Sequence, residues 1–146
     1  MDRDEHVVTL GEAECLRLLG TVPIGRVVYT EHALPAVLPV AFEVSPDDTL
    51  ILGLRAGSTV SRALDGTVAA FQADHLDPAT RTGWSVLVHG RTEVVRDPAA
   101  VRHLLRTGPL PWVNSGQEPM FVRIVPELVS GRRVLPAGQV LASGAR

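Results

Sequence analysis

The segment of residues 49–66, TLILGLRAGSTVSRALDG, combines residue types that can bind an anion. It predicts a β-strand that ends at Arg55, a Gly-Ser turn, and a short helix that begins with hydroxyl residues and contains Arg62. Backbone N–H groups at a helix start lack partners, the helix dipole favours negative charge there, and guanidinium groups pair with phosphate oxygens. The segment therefore predicts a site for a cofactor or substrate that carries a phosphate.

The composition restricts the other chemistry that is available. All 14 basic residues are arginine, so no lysine can form a Schiff base or bind a phosphate. Cys15 is the single cysteine, which excludes an intrachain disulfide and a cysteine-rich zinc site. The five histidines share no metal-ligand spacing, and we expect no metal site. No Ser/His/Asp order or carboxylate pair indicates hydrolysis, and we assign no catalytic residue.

Length and charge indicate the general class of protein. The chain has 146 residues, 45% of them hydrophobic, and a formal net charge of −2. These values predict one domain over residues 1–146, with loose tails at 1–8 and 136–146. The charge predicts no nucleic-acid partner. Because the first residues lack a secretory signal and no apolar run has the length of a membrane span, we expect no membrane association and a cytoplasmic protein.

The hydrophobic pattern predicts many strands and few helices. A capping box from Thr9 to Glu12 predicts a first helix over residues 10–19. Two more helices are predicted at 59–64 and after the Asp97-Pro98 cap. Strands are predicted at 24–30, 34–44, 50–54, 67–73, 84–95, 120–125 and 130–134. Since short turns connect the strands, the pattern favours a mainly β fold, a six- to seven-stranded antiparallel barrel with short helices.

Two prolines interrupt the predicted strand at residues 34–44. Pro35 and Pro39 each remove a donor from the hydrogen-bond ladder. This strand is therefore an edge, a bulge, or a wall that faces something other than another strand.

Five sequence pieces in this order resemble the pyridoxamine 5′-phosphate oxidase-like, FMN-binding split barrels. The pieces are Gly25-Arg-Val-Val-Tyr29, Pro35-Ala-Val-Leu-Pro-Val-Ala-Phe42, Leu50 to Arg55, Gly57-Ser58, and Gly83-Trp-Ser-Val-Leu-Val-His-Gly-Arg91. The resemblance covers residues 10–134. It is closest to a small actinobacterial branch that includes nitroimidazole-reductase-like proteins, and it implies an antiparallel split β-barrel.

The resemblance also implies which residues bind the cofactor. Pro39, Val40 and Ala41 are expected to line the flavin ring with their backbone groups. Leu54 and Arg55 are expected near the ribityl chain and the phosphate. The remaining expected cofactor residues are Ser58, Thr59 and Arg62 at the phosphate and Trp84 and Ser85 from the long fifth strand, across a dimer interface in many relatives.

The implied protein is a homodimeric flavin-dependent oxidoreductase that acts on a small molecule, with FMN in two clefts at the dimer interface. Relatives commonly have lysine at the position of Thr59, and a threonine hydroxyl supplies no charge to a phosphate. The alternative is a split barrel that binds or carries flavin, a deazaflavin coenzyme or haem without turnover. Trp112, in a segment rich in proline and glycine, is either a cover over the ring or an anchor on the partner subunit.

Overall fold

The structure, a computed structural model, describes residues 6–55, 57–112 and 117–136. Seven strands and three helices follow one another in these ranges: β1 (Val7–Leu10), α1 (Glu12–Leu19), β2 (Ile24–Glu31), β3 (Leu34–Val44), β4 (Leu50–Arg55), α2 (Ser58–Ala63), β5 (Val68–Asp77), β6 (Thr82–Val94), α3 (Pro98–Thr107) and β7 (Pro119–Val134). Among the described helices, none combines the length and the apolar character needed to cross a membrane.

The strands form one antiparallel sheet that closes on itself. Its order is β1-β7-β4-β3-β2-β5-β6, and β6 pairs again with β7. The first half of β7 pairs with β4 and its last residues pair with β1, so two different strands share one edge of β7. The predicted mainly β, antiparallel split barrel is confirmed.

One long strand replaces the two strands predicted at 120–125 and 130–134. β7 pairs with β6 along its length, and a register shift lies between His89 and Gly90, where Gly90 faces Pro126. A bulge at this point lets the chain pass a residue that has no N–H without ending the strand.

The N-terminal prediction was wrong in two respects. The N-cap of α1 is Gly11 and it makes no side-chain hydrogen bond. Thr9 instead belongs to β1, where it pairs with Arg132, and Val7 and Val8 also pair with β7 rather than forming a loose tail. Tertiary pairing with β7 therefore determined this segment, whereas the capping pattern is local. Residues 1–5 and 137–146 of the predicted tails lie outside the described residues.

The interior of the barrel holds the main hydrophobic core. The strands contribute buried side chains such as Val27, Leu52 and Phe71, and α1 adds Cys15 and Leu19. A second cluster lies outside the barrel, where α3 covers the outer side of β4 and β7. It contains Ile51, Val95, Leu104 and Phe121.

A glycine permits the tightest aromatic packing in the main core. Phe71 is fully buried and its ring lies 4.7 Å from that of Phe42, centroid to centroid. A Cβ added at Gly25 would collide with the Phe71 ring. Because both rings are buried, a shift of the Phe71 ring would disturb its packing in the core.

We expect Gly25→Ala to destabilise the fold by about 1–3 kcal/mol, the range for overpacking a core. Chemical denaturation measures this difference. Gly20→Ala is the control, since Gly20 has ordinary helical angles (φ −67°, ψ −9°) and a Cβ there meets nothing closer than 3.4 Å. Equal stability of the two variants would contradict the packing argument.

Candidate functional site

The hydrogen bonds of β3 alternate between its two neighbours. On one side, the Phe42 amide donates to the Pro23 carbonyl at 3.2 Å, in register with β2. On the other side, the Ser45 amide donates to the Thr49 carbonyl at 2.8 Å, in register with β4. Since backbone groups alternate along a strand, even-numbered residues of β3 bond to β2 and odd-numbered residues face β4.

The β3–β4 ladder ends where a proline occupies one of the positions that face β4. The last pair is Ala41 with Gly53. In the same register, Pro39 would lie opposite Arg55, two residues farther along each strand. Proline has no N–H, and the ladder does not continue to this pair. β4 remains in the sheet through its pairing with β7, up to Arg55 opposite Pro119. The two strands are not paired beyond Ala41 and Gly53, and we call the region bordered by residues 39–41 and 53–55 the β3–β4 fork.

The fork contains a cavity of about 200 Å³. Five of the predicted cofactor residues line it: Pro39, Val40, Ala41, Leu54 and Arg55. The other lining residues are Ile24, Leu38, Gly53, Pro111 and Trp112. Arg55 is the one ionisable residue in this set, and the remaining side chains are apolar. The arrangement suits a flat, mostly apolar group with an anionic end near the arginine.

The connection between α3 and β7 provides the third wall of the fork. A Cβ on Gly53 would collide with the Pro109 carbonyl oxygen, so the connection crosses β4 in direct contact with the glycine backbone. Farther along, the Gln117 carbonyl accepts a hydrogen bond from Arg55 Nη1 at 2.6 Å. Of the fork residues that the sequence analysis did not assign, Gly53 carried a signal, because a glycine inside a strand often marks a close backbone approach.

Two of the predicted phosphate residues on α2, Thr59 and Arg62, are not among the described residues that line the cavity. α2 begins at Ser58, directly after its N-cap Gly57, and Thr59 and Arg62 are exposed. The other end of this helix is fixed by Asp65, which accepts hydrogen bonds from the Val94 amide at 3.0 Å and from Arg96 at 2.7 Å. The Val94 amide and, next, the Arg96 guanidinium lower the pKa of Asp65.

Trp84 and Ser85 lie away from the fork in a single chain. The Trp84 side chain is 5% exposed and belongs to the main core. Ser85 points to the outer face of the sheet, where its Oγ accepts a hydrogen bond from Gln72 Nε2 at 3.3 Å. It lines a groove of about 640 Å³ on that face together with Gln72 and Arg132. Contact of these two residues with a cofactor stays a prediction that involves a partner subunit.

Comparisons with known proteins agree with this architecture. The family model described as pyridoxamine 5′-phosphate oxidase matches residues 11–133. An uncharacterized protein of Mycobacterium tuberculosis is 43% identical over 135 residues, which are 89% of this chain and 87% of the relative. The chain belongs to the pyridoxamine 5′-phosphate oxidase-like family of split barrels.

Two similar solved structures are flavin-binding proteins. The FAD-binding protein from Mycobacterium smegmatis has a TM-score of 0.66 and 29% identity, over 87% of this chain and 97% of that chain. A FAD-binding protein from Mesorhizobium loti has a TM-score of 0.67 and 27% identity, over 87% of this chain and 96% of that chain.

We expect Pro39→Ala to extend the β3–β4 ladder, because the new amide at position 39 would face the Arg55 carbonyl. The new hydrogen bond would stabilise the folded protein, and the loss of the rigid proline would destabilise it. Each effect is about 0.5–1.5 kcal/mol, so the free energy of unfolding changes little. Hydrogen exchange by NMR should find the amides at 39 and 55 protected. Pro35→Ala is the matched control: it lies on the same edge of β3, beyond the end of the β4 pairing, and its new amide should exchange fast. Fast exchange at position 39 would contradict this origin of the fork.

Proposed function

We propose that this protein is an FMN-dependent oxidoreductase whose flavin ring lies in the β3–β4 fork. The ladder ending at Pro39 is the observation that carries the proposal. By the alternation along β4, the Arg55 backbone amide faces the gap, as does the Pro39 carbonyl on the other strand. One donor and one acceptor thus face a cavity with apolar walls, which matches the polar edge and the apolar body of a flavin ring.

The phosphate of the cofactor would lie at Arg55. One guanidinium N–H donates to the Gln117 carbonyl. Arginine has five N–H donors, so others remain for phosphate oxygens. The Thr59 hydroxyl can donate one more hydrogen bond from the first turn of α2. We choose FMN because its terminal phosphate is a dianion that suits a guanidinium partner. The FAD-binding proteins described above make FAD the direct competitor.

When bound, the flavin would supply the hydride and electron transfer itself. The fork residues would bind and orient the ring and exclude water from one of its edges. Since Arg55 is the single ionisable residue among the described residues that line the cavity, a proton for the substrate would come from solvent or from a partner subunit. The substrate in this proposal is a small molecule.

The size of the fork supports a site shared by two subunits. Ligand cavities usually have about 300–1,000 Å³, and the cavity in one chain has about 200 Å³. Ile24 of β2 lines the fork, and Arg26, the next outward residue of β2, pairs with Gln72 in the outer groove. A second copy that covered the outer face of β2, β5 and β6 would therefore reach the border of the fork and enclose the ring.

The charges on this outer face suit a two-fold dimer. Asp74 of β5, Ser85 of β6 and Arg132 of β7 occupy directly paired positions across the three strands. A two-fold axis along β6, in the plane between the two subunits, would place Asp74 of each subunit over Arg132 of the other. Such a self-complementary pattern is what an interface between identical surfaces requires. We therefore propose a homodimer with two equivalent FMN clefts.

Cofactor identification tests the proposal directly. The purified protein is titrated with FMN, FAD, a deazaflavin coenzyme and haem, with thermal shift and absorbance as the readouts, and bound flavin is then mixed with NADH or NADPH without oxygen. We expect tightest binding of FMN and bleaching of its absorbance on reduction. Tighter binding of FAD would correct the cofactor, and binding of none of the four would overturn the proposal.

A carrier or sensor of flavin is the second candidate, and it is favoured because no acidic or histidine side chain is among the described residues that line the fork. The same experiment separates the two functions. Flavin that binds tightly but is reduced by neither nicotinamide donor would favour the carrier.

Arg55→Ala should weaken FMN binding by about 1.5–3 kcal/mol, or roughly 10- to 150-fold, the range for hydrogen bonds to a charged group. Isothermal titration measures the change. Riboflavin is the control ligand, because it has the ring and lacks the phosphate, and its affinity should change little. Equal losses of affinity for FMN and riboflavin would mean that Arg55 contacts the ring, or supports the connection at Gln117, rather than binding the phosphate.

Arg132→Asp and Asp74→Arg should each weaken the dimer by roughly tenfold or more, since each change brings like charges together twice across the axis. The double variant should restore the dimer. Sedimentation velocity over a range of protein concentrations measures the equilibrium. Arg102→Asp, on the exposed side of α3, is the control for the change of charge. Single variants that dimerise as the wild type does would contradict the proposed axis.

A further inference from the structure

Five of the six aromatic residues of the chain are in its interior. Tyr29, Phe42, Phe71, Trp84 and Phe121 are each at most 7% exposed. Trp112 is 74% exposed, and it lines the β3–β4 fork. Trp112 and the apolar lining of the cavity together form an exposed apolar surface. Such a surface indicates a place that another molecule covers.

Described residues before and after Trp112 in the chain contact residues of the fork. On the N-terminal side, Pro109 is in contact with the Gly53 backbone. On the C-terminal side, the Gln117 carbonyl accepts the Arg55 hydrogen bond at 2.6 Å. Both attachment points, Gly53 and Arg55, are themselves residues of the fork. Trp112 thus comes shortly after a residue that contacts the fork, and it lines the cavity itself.

We infer that Trp112 is a cofactor-binding residue whose indole packs against the ring of the bound cofactor. This inference rests on the function proposed above and adds a residue to its site. A flat ring that entered the fork would meet backbone and aliphatic side chains on the β3 side and the indole from the α3–β7 connection. Stacking of two aromatic systems adds an attraction beyond the apolar area that they bury.

The same exposed tryptophan would also suit a contact with the partner subunit, since tryptophan is enriched at interfaces. Two observations favour the ring. Trp112 lies in the lining of the cavity itself, and its neighbour Leu110, which is 58% exposed, does not line it. An exposed side chain in this segment therefore need not contact the fork. Leu110 is exposed without lining the cavity, and it provides a matched control.

The test compares the wild type with Trp112→Ala, Trp112→Phe and Leu110→Ala. Each protein is titrated with FMN and with riboflavin. Trp112→Ala should weaken both ligands by the same factor, about tenfold, the order found for loss of an aromatic stacking partner. Trp112→Phe should retain most of the affinity, and Leu110→Ala should bind as the wild type does. The equal factor for the two ligands distinguishes a ring contact from the phosphate contact of Arg55.

Fluorescence of the bound flavin gives a second readout that a purely structural role would not change. An indole in contact with an excited flavin quenches it by electron transfer, so the flavin should be dark in the wild type and brighter in Trp112→Phe and Trp112→Ala. Unchanged affinity and unchanged flavin emission in Trp112→Ala would overturn the inference. A Trp112→Ala protein that forms a weaker dimer, but whose dimer binds flavin as the wild type does, would also overturn the inference. A wild type that binds no flavin would overturn the proposed function together with this inference.

Discussion

The missing N–H of Pro39 is the constraint on which the site depends. A ladder between β3 and β4 is otherwise favourable, and the two strands pair from Val44–Leu50 to Ala41–Gly53. Two residues farther along β3, at Pro39, the donor is absent, and the pairing does not extend to this position. The cost is small because the proline lies at the end of the ladder rather than in its middle. The barrel thus keeps its core while the pairing of these two strands stops beside the cavity.

The closed barrel makes this local opening tolerable. β7 pairs with β6 along one edge and with β4 on the other, so β4 stays in the sheet after it separates from β3. The second hydrophobic cluster, with Leu104 and Phe121, holds α3 against the outside of the same strand. Because α3 is fixed there, the connection that follows it crosses Gly53 and completes the fork. Stability and the cavity therefore depend on the same pairs of strands.

The outer face of the sheet and the fork are two parts of one proposal. The groove beside Ser85 is larger than the fork, and polar side chains such as Gln72 and Arg132 line much of it; in the proposal a second subunit covers it. The fork is small and apolar and has the arginine. A flavin site needs polar groups at the edge of the ring and walls that enclose the ring. One chain provides the polar groups more completely than it provides the enclosing walls.

The sequence by itself determined the fold class, the β3 and β4 strands and the positions of Pro39 and Arg55 within them, because these depend on alternation, on the missing proline donor and on local turn residues. It did not reveal β1, the single β7 or the place of Trp112. These depend on which distant segments meet: β1 exists through its pairing with residues 131–134, and Trp112 reaches the fork through contacts at Gly53 and Arg55. Only the tertiary structure brings such residues together, since no local pattern encodes a contact between segments that are about 60 residues apart or more.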